Sequence, residues 1–156
     1  MAIDNLIKSF GRNVWIVEKQ TEGLTHEDGL IRPPFRGNSL NWVLGHVVLS
    51  RQSALGRLGV EAELLSKDEI TLYRRGSEPL GEGDQAAPLE KLVNGMRQSQ
   101  EQLVEALEAA DLNQVIDQDG NTLRENIQTI CWHETYHVGQ LELLRQLAGT
   151  NDVVIP

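Results

Sequence analysis

Four long segments of this chain carry apolar residues at spacings of three and four, and this pattern constrains the fold more than any other feature. The segments cover residues 3–24, 38–58, 88–110 and 122–148. Almost nothing in the chain alternates with the period of two that a half-buried β-strand shows. The sequence therefore predicts an all-α fold in which four helices form a bundle.

Residues that favour helix ends lie at the borders of these segments. The second helix opens at Asn38 or Ser39, either of which can cap it, and Gly59 ends it. Pro88 suits the first turn of the third helix. A capping box at residues 66–69 precedes a further short helix through Leu72. Because two of the connections between the helices are long, we expect at least one connection that crosses the bundle.

Length and composition suit one globular domain over residues 1–156, with 40% hydrophobic residues. No stretch approaches the roughly 18 uninterrupted apolar residues that cross a bilayer. The N-terminal segment lacks the basic start and apolar centre of a signal peptide. Cys131 is the only cysteine, so the chain cannot form an internal disulfide, which agrees with a reducing compartment. We therefore expect a cytoplasmic protein.

The charge pattern excludes two classes of partner. The net charge is −9, and a surface this acidic repels the phosphate backbone of nucleic acids. The longest basic cluster is Arg74-Arg75, which is too short for polybasic attachment to a membrane. We expect neither nucleic acid nor a membrane as a partner.

Two histidines in the last long segment form a candidate metal site. His133 and His137 are four residues apart, so on a helix their imidazoles lie only about 40° apart, one turn from each other. Ile130 and Leu144 belong to the same stripe and indicate that it faces the core. Buried polar groups need a partner, and a metal ion supplies one for both rings.

His46, in the second long segment, is the third candidate ligand. Two imidazoles from one helix and one from a facing helix leave coordination positions for water or substrate, which is the pattern of a catalytic site. Spacing alone leaves the alternative open, because a lone histidine on a mixed helix face is often a hydrogen-bonded core residue.

The residues His133-Glu134-x-x-His137 also match the zinc-protease motif, in which Glu134 would be the general base. The third ligand of that class would have to be Glu142 or Asp152, and neither is well placed. The sequence also shows no substrate-aligning sheet. Glu134 points about 80° away from the midline of the two histidines. It remains a candidate catalytic residue, although a solvated or interhelical carboxylate is the commoner outcome.

Two strings of residues resemble one family. H-E-T-Y-H-V-G-Q, from His133 to Gln140, resembles the last helix of the DinB-like family, and S-L-N-W-V-L-G-H, from Ser39 to His46, resembles its second helix. This family is similar in fold to bacillithiol transferases and mycothiol-dependent isomerases. The resemblance implies that His46, His133 and His137 converge near one end of a bundle and bind zinc or nickel, and it also implies a homodimer.

These features support one main functional hypothesis and two alternatives. The first is a metal-dependent enzyme that transfers a low-molecular-weight thiol, or hydrolyses a bond, on a small-molecule substrate. Trp42, Asn126 and Gln140 are its candidate substrate-lining or ligand-orienting residues. The second hypothesis is a non-catalytic metal or small-molecule binding protein of the stress response. The third is a homodimer whose histidines only join helices.

Overall fold

The computed structural model describes residues 2–150 and 152–155. Met1, Asn151 and Pro156, which belong to the expected domain of residues 1–156, lie outside the described residues. The helices are α1 (Ile3–Thr21), α2 (His26–Gly29), α3 (Leu40–Arg57), α4 (Lys67–Tyr73), α5 (Leu89–Ala109), α6 (Leu123–Val138) and α7 (Leu141–Gln146). In this described part of the chain no strand forms, which confirms the predicted all-α class.

The four long helices α1, α3, α5 and α6 form the bundle. α3 packs against α5 and α6, and α1 packs against the same two helices. α1 and α3 therefore lie on one diagonal, and the connection between them crosses the bundle as predicted. The shared interior is mostly apolar and includes Leu6, Phe10, Val47, Leu92, Leu103 and Ile127. Over the residues described, no helix combines the length and hydropathy needed to cross a membrane.

Side-chain caps fix the starts of the helices that surround the site. Ser39 accepts a hydrogen bond from the backbone N–H of Trp42 at the start of α3. Thr122 forms a capping box with Glu125 at the start of α6. The capping box that the sequence predicts at residues 66–69 is present and opens α4. These caps set the first turn of each helix and therefore the direction of the side chains that follow.

The fourth predicted helix, residues 122–148, is not continuous. α6 ends at Val138, and α7 begins only at Leu141. Between them, the backbone N–H of Gln140 donates to the carbonyl of His137 at 3.0 Å, three residues back, so the chain tightens locally. Gly139, a residue of low helix propensity, lies at this interruption. The expectation of one uninterrupted helix was wrong at this point.

Candidate metal centre

The structure brings the three predicted histidines together. Nε2 of His133 lies 3.3 Å from Nε2 of His46 and 3.1 Å from Nε2 of His137. One ligand atom from each residue falls within 4.8 Å of the others. Nitrogens that bind one ion tetrahedrally at about 2.1 Å lie about 3.4 Å apart, so these separations fit a shared ion. The group could hold a divalent transition metal.

Hydrogen bonds on the far side of two rings fix which nitrogen carries the proton. Nδ1 of His46 donates to the backbone carbonyl of Tyr73 at 2.7 Å, and Nδ1 of His137 donates to Oε1 of Gln140 at 2.8 Å. Both acceptors are oxygens without a proton, so in the neutral rings Nε2 keeps its lone pair. His133 can donate to only one of these two lone pairs. The cluster therefore has more acceptors than protons, a shortage that a cation relieves.

Burial keeps the imidazoles of His133 and His46 neutral. It lowers the pKa of His133 to about 4, and charges on His137 and His46 act in the same direction. Arg75 lowers the pKa of His133 further through its positive charge. Burial also lowers the pKa of His46, against the opposing effect of its hydrogen bond to Tyr73. A neutral imidazole is the form that binds a metal, so both rings are prepared for this role at neutral pH.

Trp42 packs against one face of the His46 ring. The two rings are stacked, with centroids 4.9 Å apart and planes 14° from parallel. The indole is 6% exposed, and its Nε1 donates to Oγ of Ser77 at 2.9 Å. Trp42 therefore fixes the plane of the His46 ring and shields that face from water.

Tyr73 places the carbonyl that His46 uses. Its ring packs directly on the backbone of Gly45, where a Cβ atom would come within 2.3 Å of the ring. Its hydroxyl donates to Oδ1 of Asn41 at 2.8 Å and accepts from the backbone N–H of Ala87 at 2.9 Å. Tyr73 is not among the candidate residues predicted from the sequence. The available signal was a glycine inside a helix, next to a candidate ligand, which often marks a close approach.

Glu134 lies in a fully buried ion pair with Arg51, and both side chains are 0% exposed. Nε of Arg51 donates to Oε2 of Glu134 at 2.8 Å, and a second guanidinium nitrogen donates to Oε1 at 2.7 Å. Asn13 donates to Oε1 at 3.0 Å. Other guanidinium donors reach the carbonyls of Phe10 and Met96 and the side-chain oxygens of Ser99 and Gln100. This geometry gives Glu134 an interhelical role and does not support its candidacy as a general base.

Arg51 joins all four helices of the bundle, yet it is not among the candidate residues predicted from the sequence. It lies on the apolar stripe of α3 that also contains Leu44, Val48 and Leu55. A lone charged residue on such a stripe needs a buried partner of opposite charge. That irregularity was the signal that could have found it.

Two other residues lie apart from the histidines. Asn126 is seven residues before His133 on α6, about 10 Å along the helix axis. Its buried Oδ1 finds no hydrogen-bond partner among the described residues, so this oxygen holds none of the three ligand rings. Cys131 is buried in the core, and burial raises its pKa to about 12, with the charge of Glu134 adding to the effect.

Comparison with known proteins identifies one family. The sequence model described as DinB superfamily matches residues 16–141, a range that includes α3, α6 and all three clustered histidines. A search of curated proteins finds no match.

Proposed function

The chain belongs to the DinB superfamily, and we propose that it is a metal-dependent enzyme acting on a small molecule at His46, His133 and His137. The convergence of their three Nε2 atoms carries this proposal. In the described part of the chain no carboxylate or thiolate joins the group as a fourth ligand. A set of three neutral ligands leaves room for water or substrate, which is typical of catalytic sites.

We propose zinc or nickel as the metal and thiol transfer or hydrolysis as the reaction. When bound, such an ion lowers the pKa of a coordinated water or thiol towards neutrality. Residues of the chain hold the ligand rings in place and exclude water. The Tyr73 carbonyl and the Gln140 side chain hold two of the ligand rings, and Trp42 keeps water away from one face of His46.

Any thiol in the reaction has to come from a second substrate. Cys131 is the only cysteine in the chain. Its side chain is buried, and its pKa is raised to about 12, so it remains protonated and unreactive at neutral pH. This excludes a thiol nucleophile of the chain itself and favours a low-molecular-weight thiol.

The test compares His137→Ala with a matched control, His26→Ala. His26 lies in α2, outside the three-histidine group. We expect about one divalent metal per chain in the wild type and in His26→Ala, and loss of the metal in His137→Ala with the far-UV circular dichroism spectrum retained. Elemental analysis of the purified proteins measures the metal.

Turnover is then measured with a panel of small thiols and an electrophilic acceptor such as 1-chloro-2,4-dinitrobenzene, and with ester and amide substrates for hydrolysis. We expect activity only in the metal-loaded protein. Equal turnover by metal-loaded and chelator-treated protein would refute a metal-dependent reaction. Tight metal binding without turnover on any substrate would instead support the non-catalytic binding protein.

The homodimer and the cytoplasmic location stay proposals that rest on the family resemblance and on the composition. Sedimentation equilibrium tests the first of them. A mass near 17.4 kDa at all concentrations would refute the dimer.

A further inference from the structure

Three buried residues, Asn41, Tyr73 and Ala87, form a closed group of hydrogen bonds. The hydroxyl of Tyr73 donates to Oδ1 of Asn41 at 2.8 Å and accepts from the backbone N–H of Ala87 at 2.9 Å. Nδ2 of Asn41 donates to the carbonyl of Ala87 at 2.8 Å. Asn41 and Tyr73 are 0% exposed and Ala87 is 3% exposed, so water does not compete for these bonds.

The chemistry of these groups allows one arrangement only. A carbonyl can only accept, so the part of the Asn41 side chain that faces the Ala87 carbonyl has to be the NH₂ group. Oδ1 of Asn41 then faces the Tyr73 hydroxyl and takes its single proton. Because every donor has its acceptor in this arrangement, the hydroxyl is held at a defined point.

Tyr73 also carries the carbonyl that holds His46. It is the last residue of α4, and the last carbonyls of a helix have no partner within that helix. The Tyr73 carbonyl accepts instead from Nδ1 of His46 at 2.7 Å. One residue therefore joins the closed hydrogen-bond group, through its hydroxyl, to a metal-binding ring, through its backbone.

The short helix α4 needs such an anchor. A helix of seven residues is marginal by itself, and α4 packs mainly against α3. The ring of Tyr73 lies against Gly45, which has no side chain that would stop the ring from sliding along α3. The hydrogen bonds of the hydroxyl are directional, so they supply this restraint.

The spacing of residues on α3 places this anchor directly beside the ligand. Residues four apart lie on the same face of a helix. Asn41 and Gly45 both contact the side chain of Tyr73. Trp42 and His46, each one position further along the chain, stack on each other. The first pair therefore fixes the end of α4, and the second pair presents the imidazole to it.

We propose that Asn41 is a positioning residue of the metal centre, acting through the Tyr73 hydroxyl on the ring of His46. Asn41 holds the hydroxyl, the rigid side chain of Tyr73 holds the end of α4, and the carbonyl there keeps the proton of His46 on Nδ1. Nε2 is then left unprotonated, as a metal ligand has to be. The effect on metal binding rests on the proposed function, whereas the effect on the His46 proton needs no metal.

The first test uses metal-free protein with isotope-labelled histidine. At mildly alkaline pH, proton–nitrogen NMR shows which nitrogen of each neutral imidazole carries the proton. We expect His46 to carry it on Nδ1 in the wild type. In Tyr73→Phe and in Asn41→Leu the ratio of the Nδ1–H form to the Nε2–H form should fall about fivefold, as for the loss of one hydrogen bond of ordinary strength.

Ser99→Ala is the matched control. Oγ of Ser99 is another fully buried hydroxyl that both accepts, from Arg51 at 3.2 Å, and donates, to the carbonyl of Met96 at 3.0 Å. Its removal should lower the stability as the loss of the Tyr73 hydroxyl does, but leave the proton of His46 on Nδ1. The control therefore separates positioning from a general loss of stability.

Metal affinity gives the second test. In competition with a chromophoric chelator, we expect zinc binding to weaken about tenfold in Tyr73→Phe and in Asn41→Leu, and to stay at the wild-type value in Ser99→Ala. Far-UV circular dichroism verifies that each variant is folded. Wild-type zinc affinity in Tyr73→Phe would overturn the effect on the metal centre.

The outcomes separate this inference from the proposed function. The wild-type ratio of the two His46 forms in Tyr73→Phe, or in a folded Asn41→Leu, would overturn the inference. An equal fall in Ser99→Ala would overturn it as well, because the effect would then follow stability alone. If the wild type binds no zinc, the proposed function fails. The NMR comparison then decides the inference by itself: the expected fall supports it, and an unchanged ratio overturns it.

Discussion

Glu134→Gln keeps the shape of a buried side chain but removes its charge. The carboxylate accepts two hydrogen bonds from Arg51 and one from Asn13. The amide replaces one acceptor oxygen with a donor, so a donor of Arg51 faces another donor. Breaking a buried pair by removing one partner costs about 3–5 kcal/mol. Because Arg51 keeps its acceptors at Phe10 and Met96, we expect a loss at the lower end of this range, about 3 kcal/mol of unfolding free energy.

Two companion variants test this reasoning. Arg51→Met leaves the buried carboxylate with Asn13 as its remaining donor, so we expect the upper end, about 5 kcal/mol. The double variant Arg51→Met/Glu134→Leu removes both charges together. It should be more stable than Arg51→Met alone, since apolar side chains of similar volume often replace a buried pair at little cost.

Urea unfolding, followed by far-UV circular dichroism, measures these differences. The protein is kept free of metal by a chelator, because a bound ion would add its own stabilisation. With an m-value of about 2 kcal/mol per molar urea, a loss of 3 kcal/mol shifts the midpoint by about 1.5 M. A Glu134→Gln variant within about 1 kcal/mol of the wild type, or a double variant no more stable than Arg51→Met, would refute the argument. Wild-type stability combined with lost turnover would instead support Glu134 as a base.

Three further changes, two substitutions and a change of pH, test how the histidines are positioned and kept neutral. Gly45→Ala places a Cβ 2.3 Å from the ring of Tyr73 and should cost about 1–3 kcal/mol in urea unfolding while weakening metal binding. Gln140→Ala removes the acceptor of His137 Nδ1 and should lower metal affinity about tenfold, as measured by competition with a chromophoric chelator. The metal-free protein should lose stability as the pH falls from about 6.5 towards 4. The unfolded state binds a proton near pH 6.5, whereas burial holds the pKa of folded His133 to about 4.

Matched variants serve as controls for these three. Gly56→Ala lies in the same helix, meets nothing within 4 Å, and should be neutral or stabilising by up to about 1 kcal/mol. Gln146→Ala, exposed on α7, should leave metal affinity unchanged. His133→Gln should flatten the pH dependence of stability between pH 6.5 and 5. If the stability of His133→Gln depends on pH as steeply as that of the wild type, the explanation from the pKa of His133 is contradicted. Wild-type stability in Gly45→Ala would contradict the close packing of Tyr73 on Gly45.

Features that depend on neighbouring residues could be predicted from the sequence. The spacing of Leu6 and Phe10 gave the first helix, and the capping box at residues 66–69 gave the start of α4, because helix periodicity and caps act within about four residues. His133 and His137 share a helix one turn apart, so local geometry already puts them side by side. The approach of His46 was expected from the family resemblance, since spacing alone left it open.

Contacts between helices needed the tertiary structure. The pairing of Arg51 with Glu134 depends on which helices adjoin and how each is rotated, and no local spacing encodes that. The Tyr73 carbonyl belongs to the backbone, and the sequence marks its position only indirectly, through the glycine at position 45. The hydrogen bond from Nδ1 of His137 to the side chain of Gln140 depends on the turn after α6. Sequence periodicity determined where helices form and which faces are apolar, while packing across the bundle decided how each ligand is held.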